Sequence, residues 1–293
     1  LFARKYLRTR ADGQLDHWRE SIKALDTNGV GKKFTFLRPY QKQGVAHLHA
    51  LHSLGCHPLL ADEMGLGKTM QTLALLSSQT TQDLPDLVTC PASVVPVWVK
   101  EAAKHFPKFK VRILRKEETF EQTDEPCLWV ASYTQLRRHR HLLDKVEFRY
   151  AVLDEAQLIK NPKAKVTQAC LSIEARNRLA LSGTPIENSA LDLWTIFRFL
   201  MPGLLGARKE LENCLIEDSA KTLQLLRRQV TPFVLRRMKN EVASELPPKL
   251  ETELPCPLND EQRKAYKALA EGGLQAHGND LREAIRQSSM HVF

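Results

Sequence analysis

The residues best placed to do chemistry begin at Gly65-Leu66-Gly67-Lys68-Thr69, which follows the short apolar run Pro58-Leu59-Leu60-Ala61 and opens a helical stretch from Met70 to Ser77. Glycines let a backbone approach phosphate closely, and the amides of the loop and of the helix N-terminus then point at the anion. In that setting Lys68 reaches β- and γ-phosphates and the Thr69 hydroxyl ligates magnesium. The strict phosphate-loop pattern has a glycine where Asp62 stands, so the match is to the shorter Gly-x-Gly-Lys-Thr form. A second element is Val152-Leu153-Asp154-Glu155-Ala156-Gln157, an apolar run ending in adjacent carboxylates. Such a pair suits metal-assisted hydrolysis, with Asp154 on the metal side and Glu155 activating water. Taken alone, an acidic pair is more often a solvated strand end; partnership with a phosphate loop gives it meaning.

The elements that must position these groups are legible as an alternation. Pro58–Ala61, Asp86–Cys90, Val111–Leu114, Leu128–Ala131, Tyr150–Leu153 and Arg178–Leu181 are short apolar runs, each followed by a longer helical stretch. Near-continuous apolar strands separated by helices indicate an α/β fold, a parallel sheet covered on both faces. Ligands in such sheets sit beyond the carboxyl ends of the strands, where Asp62–Thr69, Asp154-Glu155 and Ser182-Gly183-Thr184 fall. The alternation stops near residue 200. Residues 204–230 and 258–288 read as helices, joined across the turn Leu246-Pro247-Pro248-Lys249.

The chain has 293 residues and a formal net charge of +9, which leans towards a polyanionic partner without distinguishing DNA, RNA and anionic lipid. No stretch approaches the ~20 apolar residues of a membrane span. Cys56, Cys90, Cys127, Cys170, Cys214 and Cys256 are scattered without a Cys-x-x-Cys pair, which argues against a zinc site or disulfide framework. The absence of an initiator Met and the end at Met290-His291-Val292-Phe293 without a helix stop suggest a fragment of a longer chain.

The motifs together carry a specific resemblance. Asp62-Glu63-Met64-Gly65-Leu66-Gly67-Lys68-Thr69, Asp154-Glu155-Ala156-Gln157 and Leu181-Ser182-Gly183-Thr184-Pro185-Ile186-Glu187-Asn188 resemble motifs I, II and III of the Swi/Snf-type ATPases, double-stranded-DNA translocases of helicase superfamily two. Leu37–Val45 resembles the family's adenine-recognition segment, which puts Gln41 on the base. Cys90-Pro91-Ala92-Ser93-Val94 with Trp98 resembles motif Ia, and Ala131-Ser132-Tyr133 resembles motif Ib. Leu193–Leu200 and Phe233–Lys239 also fit family patterns, so the resemblance runs in order from about residue 37 to 268.

What the resemblance implies is a RecA-like P-loop NTPase lobe over 37–202. A basic segment, 1–36, precedes it, and a helical extension, 203–293, leads towards a second lobe. It implies ATP and Mg²⁺ as cofactors and duplex DNA as partner, with a protein–DNA complex as a possible remodelling substrate. Asp62, Glu63, Met64, Gly65, Leu66, Gly67, Lys68 and Thr69 would hold the nucleotide. Gln157, Ser182, Gly183 and Thr184 would couple its state to DNA grip. Pro91, Ser93, Ser132 and Tyr133 would hold strand phosphates, a task that hydroxyls and amides perform without reading bases. Ser93 and Ser132 also stand where helix N-caps are expected. Gln157 in place of the more usual His resembles bacterial and archaeal members; the expected location is the nucleoid in a prokaryote and the nucleus in a eukaryote. A piece lacking the second lobe is expected to hydrolyse ATP poorly, since an absent arginine finger costs roughly 10³–10⁵ in rate. The alternatives are another superfamily-two machine, such as a restriction motor subunit or RNA helicase, and a non-hydrolysing scaffold.

Three weaker features remain. His47, His49 and His52 share one helical stretch, where packed or solvated histidines are the better reading than a metal site. Arg137-Arg138-His139-Arg140-His141 is either a solvated basic face or a phosphate contact. Arg236 and Arg237 fit the family pattern and point to phosphate or to the second lobe.

Overall fold

The computed structural model describes residues 33–78, 84–116, 120, 127–143, 145–186, 189–242, 255 and 257–271. The elements in chain order are α1 (Pro39–Ser53), β1 (Leu59–Leu60), α2 (Lys68–Ser78), β2 (Asp86–Cys90), α3 (Val95–His105), β3 (Lys110–Ile113) and β4 (Cys127–Ser132). They continue as α4 (Tyr133–Arg138), α5 (Arg140–Leu143), β5 (Glu147–Asp154), α6 (Lys165–Leu171), β6 (Glu174–Leu181), α7 (Leu191–Leu200), α8 (Arg208–Glu217), α9 (Ser219–Val230), β7 (Val234–Leu235) and α10 (Lys239–Val242). Contacts divide the chain into Leu1–Glu245 and Leu246–Phe293; the second unit contains α11 (Asp260–Glu271). None of the described helices is long and apolar enough to cross a membrane.

The strands form one sheet in the order β3-β4-β2-β5-β6-β1-β7, and every pairing is parallel. This is the parallel sheet that the sequence pattern implied, and the RecA-like lobe that the resemblance implied is built on such a sheet. Because side chains alternate across a strand, the central strands feed two cores. Leu87, Trp129, Ala131, Ala151, Leu153 and Ala180 pack on one face with residues of α4, α6, α7 and α9, among them Leu136, Cys170, Phe197 and Leu226. Leu60, Val88, Val130, Val152 and Leu181 pack on the other with Val45 and Leu48 of α1, Leu73 of α2, and Trp98 and Ala102 of α3. Each large apolar side chain so buried contributes about 1.5–3 kcal/mol. At the amino end of the central strands, the Arg149 guanidinium pairs with the fully buried Asp86 carboxylate and donates to Leu76 O at 3.0 Å, joining β2, β5 and the end of α2.

One expectation needs correction. The segment after 203 is not purely helical: β7 pairs with β1, Leu59 opposite Val234 and Leu60 opposite Leu235, and Ala61 N donates to Leu235 O at 2.7 Å. The compact unit therefore runs past 202, to Glu245. A two-residue strand is too short to show any period, which is why the pattern missed it. Within 204–230 the single helical stretch divides into α8 and α9, with Asp218 capping the second through Lys221 N at 3.0 Å. Residues 272–288 of the other expected helix lie outside the described residues.

Candidate nucleotide and nucleic-acid site

The order β5-β6-β1 sets the site. β6 lies between β1 and β5, and Leu181 stands level with Leu60 on one side and Asp154 on the other. The segments leaving these three strands, which carry Lys68, Glu155 and Ser182, emerge side by side.

The loop after β1 needs its glycines. Gly65 and Gly67 have φ of 87° and 74°, left-handed values that cost other residues about 1–2 kcal/mol. A side-chain carbon at Gly67 would also collide with the Gln41 amide. Leu66 O accepts from Tyr40 Oη, Gln41 Nε2 and Gln71 Nε2, each at 3.3 Å. Gln41 Oε1 accepts from Arg38 N at 3.0 Å, so the expected base reader also closes the start of α1. Lys68 Nζ donates to Asp62 O at 2.9 Å. Burial lowers the Lys68 pKa, and the nearby Glu155, Asp154 and Asp62 carboxylates oppose that shift.

Asp154 is buried at the end of β5. Its Oδ2 accepts from Trp98 Nε1 at 2.8 Å and its Oδ1 from Glu155 N at 3.0 Å. Burial raises its pKa, against the Trp98 hydrogen bond. Glu155 has φ of 53° and is the sole non-glycine with positive φ among the described residues. Such a conformation costs of order 1–3 kcal/mol and persists only where the surrounding structure over-determines the backbone, as active sites often do. A relay follows: Gln157 Nε2 donates to Glu155 Oε2 at 2.8 Å, Ser182 Oγ donates to Gln157 Oε1 at 2.7 Å, and Thr184 N donates to Ser182 Oγ at 3.1 Å. Gln41, Gly65, Gly67, Lys68, Asp154, Glu155, Gln157, Ser182 and Gly183 are thus brought to one edge of the sheet.

The residues present fit a magnesium nucleotide. Thr69 and Asp154 offer the hard oxygen donors that magnesium takes, and the loop has no room for a side chain at Gly67, beside the Gln41 amide. Asp62, Glu63 and Met64 shape that loop rather than line it with free polar groups. The Asp62 carboxylate is fully buried and salt-bridged to Arg237, which also donates to Gln71 Oε1 at 2.7 Å and to Tyr40 O. Glu63 Oε2 accepts from Lys239 N at 2.7 Å. The Met64 side chain is exposed, at 62%, beside Gly183. Arg236 Nη1 bridges Ala61 O and Gly183 O, both at 3.2 Å. The sequence flagged both arginines but not their partners, of which Ala61 and Asp62 each lie 175 positions away.

The expected strand-phosphate residues stand further along the same edge. Pro91 and Ser93 occupy the turn after β2, where Ser93 is exposed and makes no cap. Ser132 ends β4 and does cap α4, its Oγ accepting from Gln135 N at 3.2 Å. Tyr133 turns inward: it is buried, and its hydroxyl donates to Asp154 O at 2.8 Å. In the basic run, Arg137, Arg138, Arg140 and His141 are exposed, whereas His139 is buried between Gln135 O and Lys116 O. His52 stacks on Tyr150, centroids 5.0 Å apart, and its pKa falls to about 4, chiefly by burial. No cluster of three or more His, Cys, Asp or Glu side chains with metal-binding geometry occurs among the described residues.

The family model of the SNF2-related domain matches residues 40–292. The chain is 34% identical over 293 residues to the TATA-binding protein-associated factor MOT1 of Saccharomyces cerevisiae, covering 88% of this chain and 16% of that protein. It is 38% identical over 271 residues to an uncharacterized ATP-dependent helicase of Mycoplasma pneumoniae, covering 89% and 26%. Among solved structures, the Sulfolobus solfataricus SWI2/SNF2 ATPase core in complex with dsDNA is 38% identical with a TM-score of 0.66, over 80% of this chain and 52% of that one. The chain therefore spans about half of that core and at most 26% of these two curated relatives. By the length of the family match and by the order of its motifs, this chain belongs to the SNF2-related family.

Proposed function

We propose that this chain is the ATP-binding lobe of a DNA-dependent ATPase that translocates on double-stranded DNA, with ATP and Mg²⁺ as its cofactors. The observation that carries this reading is the hydrogen-bonded run from Glu155 through Gln157 to Ser182 and Thr184, beside Lys68 and Asp154. It joins groups suited to hydrolysis with a loop that can register nucleotide state. Gln41 would meet the base and Gly65–Thr69 the phosphates. Thr69 and Asp154 would hold the metal ion, which supplies charge neutralisation at the phosphates. Lys68 would stabilise charge on the γ-phosphate, while Glu155 orients a water and accepts its proton as the bond to ADP breaks. Pro91, Ser93 and Ser132 would bind strand phosphates. The relative solved on dsDNA supports this choice over an RNA helicase, and the relative named an ATP-dependent helicase supports it over a scaffold. We further infer that a second lobe completes the ATP site, that the substrate is duplex DNA or a protein–DNA complex, and that the protein works at the nucleoid or in the nucleus.

The test is steady-state ATPase of the full-length protein with no nucleic acid, duplex DNA and single-stranded DNA. Duplex should stimulate most, and Glu155→Gln should abolish turnover while nucleotide binding persists. Turnover indifferent to duplex would refute the proposal. The 293-residue chain alone should be slow under every condition; brisk duplex-stimulated turnover would remove the need for a second lobe.

A further inference from the structure

Asp154 is held by two aromatic donors on the two helices that follow β2 and β4. In the order β4-β2-β5, both strands on one side of β5 end in turns assigned above to strand phosphates. Trp98 lies in α3, which continues from the turn after β2; its indole is fully buried and its Nε1 reaches Asp154 Oδ2 at 2.8 Å. Tyr133 is the first residue of α4, directly after Ser132 at the end of β4, and its hydroxyl reaches Asp154 O at 2.8 Å. One donor fixes the carboxylate and the other fixes the main chain from which it projects. Burial alone does not force such pairing here, because Trp129 Nε1 and Tyr150 Oη are buried in the same sheet without a hydrogen-bond partner. A helix that starts at the turn and is packed over the sheet is stiff, so movement at Pro91–Val94 displaces Trp98 with little loss.

We propose that Trp98 and Tyr133 are positioning residues that carry displacement of the two backbone-contact turns to the metal-side carboxylate Asp154, and so make ATP hydrolysis sensitive to duplex DNA. This rests on the function proposed above. Trp98 sets the carboxylate by its indole N–H, and Tyr133 serves this link through its buried hydroxyl.

The test uses the full-length protein, with Trp98→Phe and Tyr133→Phe. Manganese, standing for magnesium, is titrated in the presence of ADP by electron paramagnetic resonance. Duplex affinity is read by fluorescence anisotropy, and ATPase is measured with and without duplex. Trp98→Phe should weaken manganese binding about tenfold, the size expected for losing a hydrogen bond to a charged group, while metal-free ADP affinity holds. Duplex stimulation should fall in both variants with duplex affinity unchanged, about fivefold in Tyr133→Phe. A merely structural role would lower the melting temperature and leave the metal titration and the stimulation ratio alone. Parental manganese binding and stimulation in Trp98→Phe would overturn the proposal. Should that variant fail to fold, undiminished stimulation in Tyr133→Phe overturns it instead. If the parent protein shows no duplex stimulation, the function proposed above fails, and the manganese titration still decides whether Trp98 positions Asp154.

Discussion

Arg237 holds the phosphate loop from behind, and its removal has a magnitude that the structure fixes. Its Nε reaches Asp62 Oδ1 at 3.0 Å, its Nη2 reaches Asp62 Oδ2 and Gln71 Oε1, and its Nη1 reaches Tyr40 O. The guanidinium also lies 5.4 Å from the centroid of the Tyr40 ring. Arg237→Ala would leave the Asp62 carboxylate with only Gln71 Nε2 and the main-chain N of residue 237, each at 3.1 Å. An exposed ion pair is worth about 0–1 kcal/mol, whereas a buried carboxylate stripped of its partner costs about 3–5 kcal/mol. With side-chain exposures of 13% for Arg237 and 0% for Asp62, the pair sits near the buried limit, so a loss of about 3 kcal/mol is expected. Urea unfolding followed by circular dichroism should show that loss as a lower midpoint at unchanged slope. Arg237→Lys should lose about 1–2 kcal/mol, since an ammonium keeps the charge but not the fork. Adding Asp62→Asn to Arg237→Ala should restore part of the stability by removing the stranded charge. A cost under ~1 kcal/mol for Arg237→Ala, or no recovery in the double variant, would refute the reasoning.

Two further outcomes follow from backbone strain and from burial. Glu155→Gly removes a left-handed non-glycine conformation, so stability should hold or rise by ~1 kcal/mol in thermal melts, while full-length turnover drops by at least ~10² as the water-orienting group is lost. His52 has its pKa lowered from 6.5 to about 4 by burial, with His49, His57 and Arg149 adding repulsion. Its neutral form is therefore the one the fold favours, and that stability is present above pH 6.5 and lost as pH falls towards 4. His52→Phe, which keeps the ring against Tyr150, should flatten this slope in urea midpoints measured from pH 4 to 7; an unchanged slope would assign the acid sensitivity elsewhere.

Much of the fold was legible because its signals are local. β2, β4, β5 after its first residue, and the last three residues of β6 are buried, and their cores read as short apolar runs. Gly65–Thr69 announces its chemistry because backbone geometry demands those residue types at that spacing. What escaped was whatever depends on distant partners. Val234–Leu235 becomes a strand only because β1 offers an unpaired edge, and nothing in two residues encodes that. Asp62, in a segment read as phosphate loop, is committed to an arginine 175 positions away. Tyr133 stood in a motif assigned to DNA, but a tyrosine can present its ring outwards or its hydroxyl inwards, and sequence does not choose. The left-handed Glu155 was equally hidden, since only tertiary constraint holds a glutamate there.

The two margins of the sheet are guarded by different means. β3 ends one side as a half-exposed strand bearing Lys110 and Arg112, charges that discourage a foreign strand from adding on. β1 carries no such charge; Leu59 and Leu60 are wholly buried, and β7 covers their open hydrogen-bonding side. Trimming the chain back to Pro202 would therefore expose a greasy, unpaired rim directly beneath the phosphate loop, inviting self-association. The shortest well-behaved version of this lobe must keep Val234 and Leu235, and with them the arginines that follow.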